Sequence, residues 1–578
     1  MTKPSIQQLG SVGIMMDGDP TMLPDQAFTD ALNVRFNGRE IEQGLGNAPE
    51  SYYTETAEGD SWDGVIYLMQ PILFDGFSNG ARLLFMLQIA KSDGDSILSV
   101  CSQNMAAPEM IGYYTAFAGW PTADPWSAYK AVINNCVLFG MTAQPPVGKQ
   151  YDWTDFDTLP GWGEQTDGTQ TTEVRRWTCK NVISFDNRLI ALNTVEESAG
   201  GADVPYPARL RWSGFAQEDA FPINWDDTAA NRTSEDFAAA VIDGYAGWQD
   251  LSSATQVIDG CENGGTLYVY TERETFSLTP SGNDQSPFIT KLVYSDLGCL
   301  DIGCCVNAKG YNYVFTGSDV VRHDAVSWKS IADNVCREWL SSLVASAEPG
   351  MVRMLNYPEL NEIWVMCRGT DQADGDYAKT QALTYNYVNG TWSKRTLPYI
   401  YDAVFAPLPP TSDMIPVEWD ENDTEWDSET AIWNAGAEKI SQGTMIGSCA
   451  AGGIYYLNSG YTENRHNYSN GAWAMQQQSL QCYVERRGLE FNTGYRSMIC
   501  ETYLNGKGTD PLTVMMGRAD NPDGGYTWDT QSIATLYSQR RQTWRTEGET
   551  HGYRLEISGQ GAIPVGITFK TANTGRAY

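Results

Sequence analysis

Histidine is nearly missing from this chain: there are three in 578 residues, His323, His466 and His551, no two of them close in sequence. So little imidazole leaves little material for a zinc centre or a histidine-based catalytic triad. The twelve cysteines include no Cys-x-x-Cys. Cys304 and Cys305 are adjacent and the others are scattered through apolar, strand-like runs. They read as buried reduced thiols, not as a disulfide framework. No phosphate-binding loop or dinucleotide glycine motif occurs, and no spacing singles out a carboxylate pair among the acids. Long apolar runs are lacking too: the longest, around residues 83–90, is too short to cross a bilayer. Lys3 is followed by no apolar block, and Asp17 and Asp19 come too early for a signal peptide. The expectation is a non-enzymatic protein without metal or cofactor, without a membrane segment, and made in a reducing cytoplasm.

Basic residues are also scarce. Lys and Arg number 38 against 72 Asp and Glu, for a formal charge of −34. Gripping nucleic acid by its phosphates requires clustered Lys and Arg that replace counterions. A chain this acidic suits instead a surface past which DNA slides without sticking.

What the chain does have is 12% aromatic residues and 55 glycines, with only 19% charged residues. That mixture favours many short strands joined by glycine turns. A loosely repeated unit, an apolar strand, a turn and a second apolar strand, runs through the middle. It appears at 132–140, 182–192, 257–270, 306–315, 351–367 and 447–457, and Val65–Phe74 with Arg82–Ile89 supplies a further candidate. Several copies begin about 50 residues apart, the period of a propeller blade of about four strands. A large irregular β-sandwich is the alternative for such a pattern.

From about Gln476 the pattern changes to alternating strands, which predicts a separate antiparallel sandwich. The expected fold is therefore all-β: an N-terminal arm and hairpin over 1–50, a β-propeller over 51–475, and a C-terminal β-sandwich over 476–578. The propeller is interrupted by an amphipathic helix opening at Lys329-Ser330-Ile331, with Ile331, Val335, Trp339 and Leu343 on one face. A second interruption, at about 407–440, is acidic. There Trp419, Trp426 and Trp433 recur every seven residues among carboxylates, behind Pro407, Pro409, Pro410 and Pro416. These tryptophans are candidate interface anchors. No carboxylate ladder with a central glycine makes the segment a calcium loop.

The N-terminal phrase Leu23-Pro24-Asp25-Gln26-Ala27-Phe28 leads into a hairpin, Asn33-Val34-Arg35-Phe36-Asn37-Gly38. Asn37-Gly38 suits a tight turn, and Pro24 and Phe28 are candidates for contact with a neighbouring subunit. This wording resembles the start of the tail nozzle proteins of short-tailed bacteriophages, the tail tubular protein B-like or packaged-DNA stabilisation family. Further phrases occur in that family's order. Ala208-Arg-Leu-Arg-Trp212-Ser213-Gly214 is similar to its Arg-x-x-Trp-Ser step. Tyr313–Asp324, with Arg322 and Asp324, is similar to the blade that precedes its short helix. Glu485–Leu489 and His551–Leu555, with Arg554, are similar to its terminal sandwich.

The resemblance implies a structural virion protein: a homohexameric ring at the distal end of a phage tail that retains and then conducts the genome during ejection. Its neighbours would be tail adaptor or portal-proximal ring proteins and tail fibres or spikes. DNA would pass transiently, without tight binding. The alternative is a β-propeller tail protein that binds or degrades glycans. One further phrase, Asn521–Trp528, resembles the aspartate-box turn of sialidase-type propellers, which implies that Asp523 bonds backbone amides while Trp528 packs beneath.

Overall fold

The computed structural model describes residues 4–52, 56–57, 60–61, 65–73, 82–89, 96–102, 110–116, 127–142, 144–149, 157–159, 162, 177–197, 202–225, 246–283, 286–345, 352–368, 379–398, 400–407, 443–449, 453–469, 472–491, 494–520, 525–529, 532–558 and 562–576. Among the described residues seven groups of four antiparallel strands follow one another, over 65–116, 128–158, 177–250, 257–294, 305–330, 352–398 and 400–457; six are sheets of their own and the group over 352–398 is one end of a larger sheet. They are the blades of a β-propeller, numbered one to seven here. The first strand of each blade is innermost: Val65–Leu73, Ala128–Ile133, Trp177–Phe185, Val257–Asn263, Cys305–Ala308, Val352–Tyr357 and Ile400–Pro407. Each packs against the next, and the strand of blade seven returns to that of blade one, closing the ring.

Blade seven is completed from elsewhere. Its outermost strand is Asn47–Tyr52, paired antiparallel with Gly453–Leu457. The arm's last strand therefore belongs to the propeller.

The turns explain why the repeat was visible. Blades two to five join their first two strands through two-residue turns: Asn134-Asn135, Asp186-Asn187, Gly264-Gly265 and Lys309-Gly310. All eight residues have positive φ, between 43° and 78°. That is the mirror-image turn whose twist matches a right-twisted hairpin, and asparagine and glycine tolerate it best. In blade seven the corresponding connection is the acidic segment between Pro407 and Gly443. Trp419, Trp426 and Trp433 lie there, outside the described residues.

The predicted helix starts later than its apolar spacing suggested. Trp328–Ser330 is the outer strand of blade five, Asn334 adopts a left-handed φ of 59° that interrupts any helix, and the helix itself covers Arg337–Ala345. Ile331, Val335 and Trp339 still pack on the core.

The sandwich is not separate. One of its sheets runs Ser5–Gln7, Ile563–Arg576, Tyr495–Lys507, Arg541–Gly548. The other begins at the arm strand Asp30–Leu32 and continues through Tyr483–Leu489, Thr550–Ile557 and Pro511–Ala519. Asp30–Leu32 also pairs, parallel, with the outer strand of blade six, Lys394 opposite Leu32. A single sheet thus runs from blade six through the arm into the sandwich. One apolar core follows it, including Phe28, Phe36, Val314, Trp392, Val484, Tyr553 and Phe569. The close crossing demands glycine at Gly488, whose φ is 77° and where a Cβ would sit 2.4 Å from the Pro20 carbonyl carbon.

Candidate functional site

Inner strands of a propeller are apolar because neighbouring blades bury them. A polar residue there faces the axis or disrupts the packing. Five such residues stand out: Lys130, Asn181, Asp259, Arg353 and Asp402. Together with residues of all seven blades they line one cavity of about 490 Å³ on the axis.

The polar groups are tied to one another. Lys130 of blade two pairs with Asp402 of blade seven at 2.6 Å and donates to the Met69 carbonyl of blade one at 2.6 Å. The Met69 amide donates to the same Asp402 oxygen at 2.9 Å. One ion pair thereby links three blades. Asp259 of blade four links three more: it accepts from Asn181 Nδ2 of blade three at 2.7 Å, from the Gly260 amide at 2.8 Å, and from the Gly303 amide, at the entry to blade five, at 2.8 Å. Cys305 Sγ adds a longer contact at 3.4 Å. Burial still raises the Asp259 carboxyl above the usual carboxylate range, against the pull of these donors. Arg353 of blade six donates to the Ile302 carbonyl, joining blades five and six.

The residues of the phage-like phrases lie elsewhere, mostly where the arm, blade six and the sandwich meet. Asn33, at a left-handed φ of 52°, donates to Thr396 Oγ1 at 3.3 Å and to the Gln481 carbonyl at 3.0 Å, and accepts from the Thr396 amide at 2.9 Å. Arg35 pairs with the buried Glu362 of blade six at 2.8 Å. Phe36 stacks on Phe28 at 5.5 Å, and Gly38 forms the hairpin turn at a φ of 67°. Arg554 lies over the Tyr483 ring at 3.8 Å and pairs with Glu556 at 3.0 Å.

The neighbour-facing role expected of Phe28 is corrected. It is fully buried in its own chain, edge-on to Tyr553 at 6.3 Å, because the arm folds back between blade six and the sandwich. Pro24 is exposed beside it.

The remaining motif residues are internal ties. Trp212 packs edge-on against Phe288 at 5.5 Å, and Ser213 Oγ accepts from the Leu189 amide at 3.0 Å. In the same phrase Arg209 and Arg211 converge on Glu196 at 3.2 and 3.4 Å. Arg322 lies over the Tyr311 ring, and Asp324 caps a turn by accepting from the Val326 and Ser327 amides, both at 2.8 Å. Trp528 covers Gly517, while Asp523 lies outside the described residues.

Two histidines are structural as well. His323 Nε2 is 2.7 Å from the Tyr270 hydroxyl and His551 Nε2 is 2.8 Å from Ser497 Oγ; burial lowers each ring to about 4. The ten cysteines whose side chains are described form no disulfide, and seven of them are buried. Among the described residues no group of three His, Cys, Asp or Glu could hold a metal ion, and no helix is long and apolar enough to cross a membrane.

The axial residues belong to none of the sequence motifs, though a signal was present. In VIDGCEN, IYDAVF and AYKAVI the third position of an inner strand that opens on apolar or aromatic residues is charged.

No family model and no curated protein matches the chain. Among solved structures it is similar to apo AztD from Citrobacter koseri, at 8% identity over 91% of this chain and 97% of that chain, with a TM-score of 0.29. It is also similar to a glycoside hydrolase family 43 arabinoxylan arabinofuranohydrolase from Bacillus subtilis, at 11% identity over 89% and 96%, with a TM-score of 0.24. A third is lmo1340 from Listeria monocytogenes, at 9% identity over 62% and 91%, with a TM-score of 0.30. Likeness at this level concerns the β architecture and says nothing of chemistry.

Proposed function

We propose that this chain is a structural β-propeller protein of a short-tailed phage tail, of the nozzle type, and not a catalyst. The observation that carries this reading is the state of the axis: both axial carboxylates, Asp259 and Asp402, are saturated by donors from neighbouring blades. The polar residues of the propeller centre thus tie blades seven, one and two into one group and blades three to six into another. The ordered phage-like phrases support the nozzle assignment.

The propeller axis is no conduit for DNA. A cavity of about 490 Å³ crossed by the Lys130–Asp402 ion pair cannot admit a duplex whose major groove alone is about 12 Å wide. A genome channel would therefore run between copies, as in a homohexameric ring stacked on an adaptor ring in the virion tail, with fibres or spikes outside. With a net charge of −34, such a wall would repel phosphates.

A second reading rests on Trp248 and Trp328, each 43% exposed on outer strands of blades three and five, Trp248 with the Arg209 guanidinium over one ring face at 3.9 Å. Exposed indole rings suit stacking on sugar faces, as a glycan-binding or glycan-degrading tail protein would use them.

Negative-stain imaging of the purified chain, alone and with tail components, separates the two. Rings with a central opening support the nozzle reading. A monomer that releases reducing sugar from host polysaccharide, and loses it on Trp248→Ala, would replace it with the second.

A further inference from the structure

Four charged side chains line the axial cavity: Lys130, Asp259, Arg353 and Asp402. Three of them are spent within the molecule. Lys130 and Asp402 neutralise one another, and Asp259 collects the Asn181 side-chain amide and the Gly260 and Gly303 backbone amides. Arg353, on the inner strand of blade six, is different. It is only 8% exposed, and among the described residues its one hydrogen bond runs from Nη1 to the Ile302 carbonyl and it forms no ion pair. Asp259 draws on it only from beyond ion-pairing distance. The cavity wall leaves room for this group. Gly303 borders the cavity at a φ of 75°, and a Cβ there would stand 2.9 Å from Arg353 Cδ and 3.2 Å from Nη1. Glycine is needed at that position both for its backbone and for the space it leaves.

A guanidinium offers its N–H donors in a flat fork, and a charge withdrawn from water is costly until one of opposite sign meets it. We propose that the axial cavity binds a small organic monocarboxylate, with both carboxylate oxygens on the Arg353 fork. Fork and carboxylate match in two parallel hydrogen bonds. The carbon skeleton lies on apolar residues of other blades, among them Leu68, Val182 and Phe405. A volume of about 490 Å³ is that of an ordinary small-molecule pocket. One negative charge is the limit, because a second would face Asp259 and Asp402 across the same space, where salt screens little. A cation is disfavoured, since both carboxylates already have their donors. A ligand anchored on blade six and seated against Leu68 of blade one touches both groups of blades that the axial ties define. Its binding therefore braces the propeller.

The test uses the full-length protein and benzoate as the probe, with benzamide as its uncharged counterpart and the phosphate dianion as the doubly charged one. Isothermal titration should give one benzoate per chain with a Kd at or below about 1 mM, and benzamide and phosphate should each bind at least about tenfold more weakly. The melting temperature should rise with benzoate and not with benzamide. Arg353→Lys keeps the charge but loses the fork, and should weaken benzoate by at least about tenfold. Should that variant misfold, the wild-type protein decides: labelled with phenylglyoxal and mapped by mass spectrometry, Arg353 should react, and benzoate should protect it. The inference is overturned if benzoate shows no saturable binding up to about 20 mM, or if benzamide or phosphate binds as well as benzoate. It is equally overturned if folded Arg353→Lys binds like the wild type, or if labelling of Arg353 is absent or indifferent to benzoate.

Discussion

The propeller axis and the joint between arm, blade six and sandwich solve the same problem by opposite means. At the axis, blades are linked by polar side chains in the middle of apolar strands, as in Lys130–Asp402 across blade one and Asn181–Asp259 between blades three and four. At the joint the linkage is mostly apolar, with Phe28 against Phe36 and Tyr553, and the polar contacts, such as Asn33 to Thr396 and Gln481, connect residues hundreds of positions apart. A ring of repeated blades needs its register held at the centre, which directional bonds do well. A joint between two β bodies needs bulk stabilisation, which buried rings supply.

The contrast breaks most visibly at the joint. Phe28→Ala should cost about 3–5 kcal/mol of unfolding free energy in urea, the usual range for a buried phenylalanine. A loss under about 1 kcal/mol would mean the arm is an appendage after all. At the axis, Lys130→Met leaves Asp402 buried without its cation and should cost about 3 kcal/mol; adding Asp402→Asn should recover part of it, because the buried charge is gone while the Met69 amide keeps an acceptor. If the single change proves harmless, the axial ties are ornamental and the comparison fails.

Acid probes both regions at once with a smaller effect. His323 sits in blade five and His551 in the sandwich, and both are held neutral by burial. The unfolded chain therefore binds more protons between pH 6.5 and about pH 4. Stability present above that window falls as pH drops through it, by about 1 kcal/mol per histidine between pH 6 and pH 5. His323→Phe should roughly halve that slope in a denaturation series. An unchanged slope would show that other groups govern acid sensitivity.

How much of this could be read in advance follows the same division. The blades were legible because their cause is local: an apolar strand, a two-residue turn such as Asn134-Asn135 or Lys309-Gly310, and a second strand lie within a dozen residues. Blade number was not, since the seventh blade borrows Asn47–Tyr52 from the far end of the chain. Phe28 was recognisable as an anchor, but a pattern of residues does not say whether the surface it meets belongs to its own chain. The axial residues were visible as odd charges in apolar runs. Their pairing was hidden, because Lys130 and Asp402 lie 272 positions apart.

That borrowed strand has a consequence for how the molecule is made. Asn47–Tyr52 leaves the ribosome early, and its partner Gly453–Leu457 follows roughly 400 residues later. At about 5–20 residues per second, that is some 20–80 s of waiting with a strand edge unpaired. During that time six blades can form in order behind it, yet the circle stays open. The last clasp shuts only when the end of the propeller emerges, so a chain stalled before residue 457 is left with a gap where blade seven should meet its outermost strand.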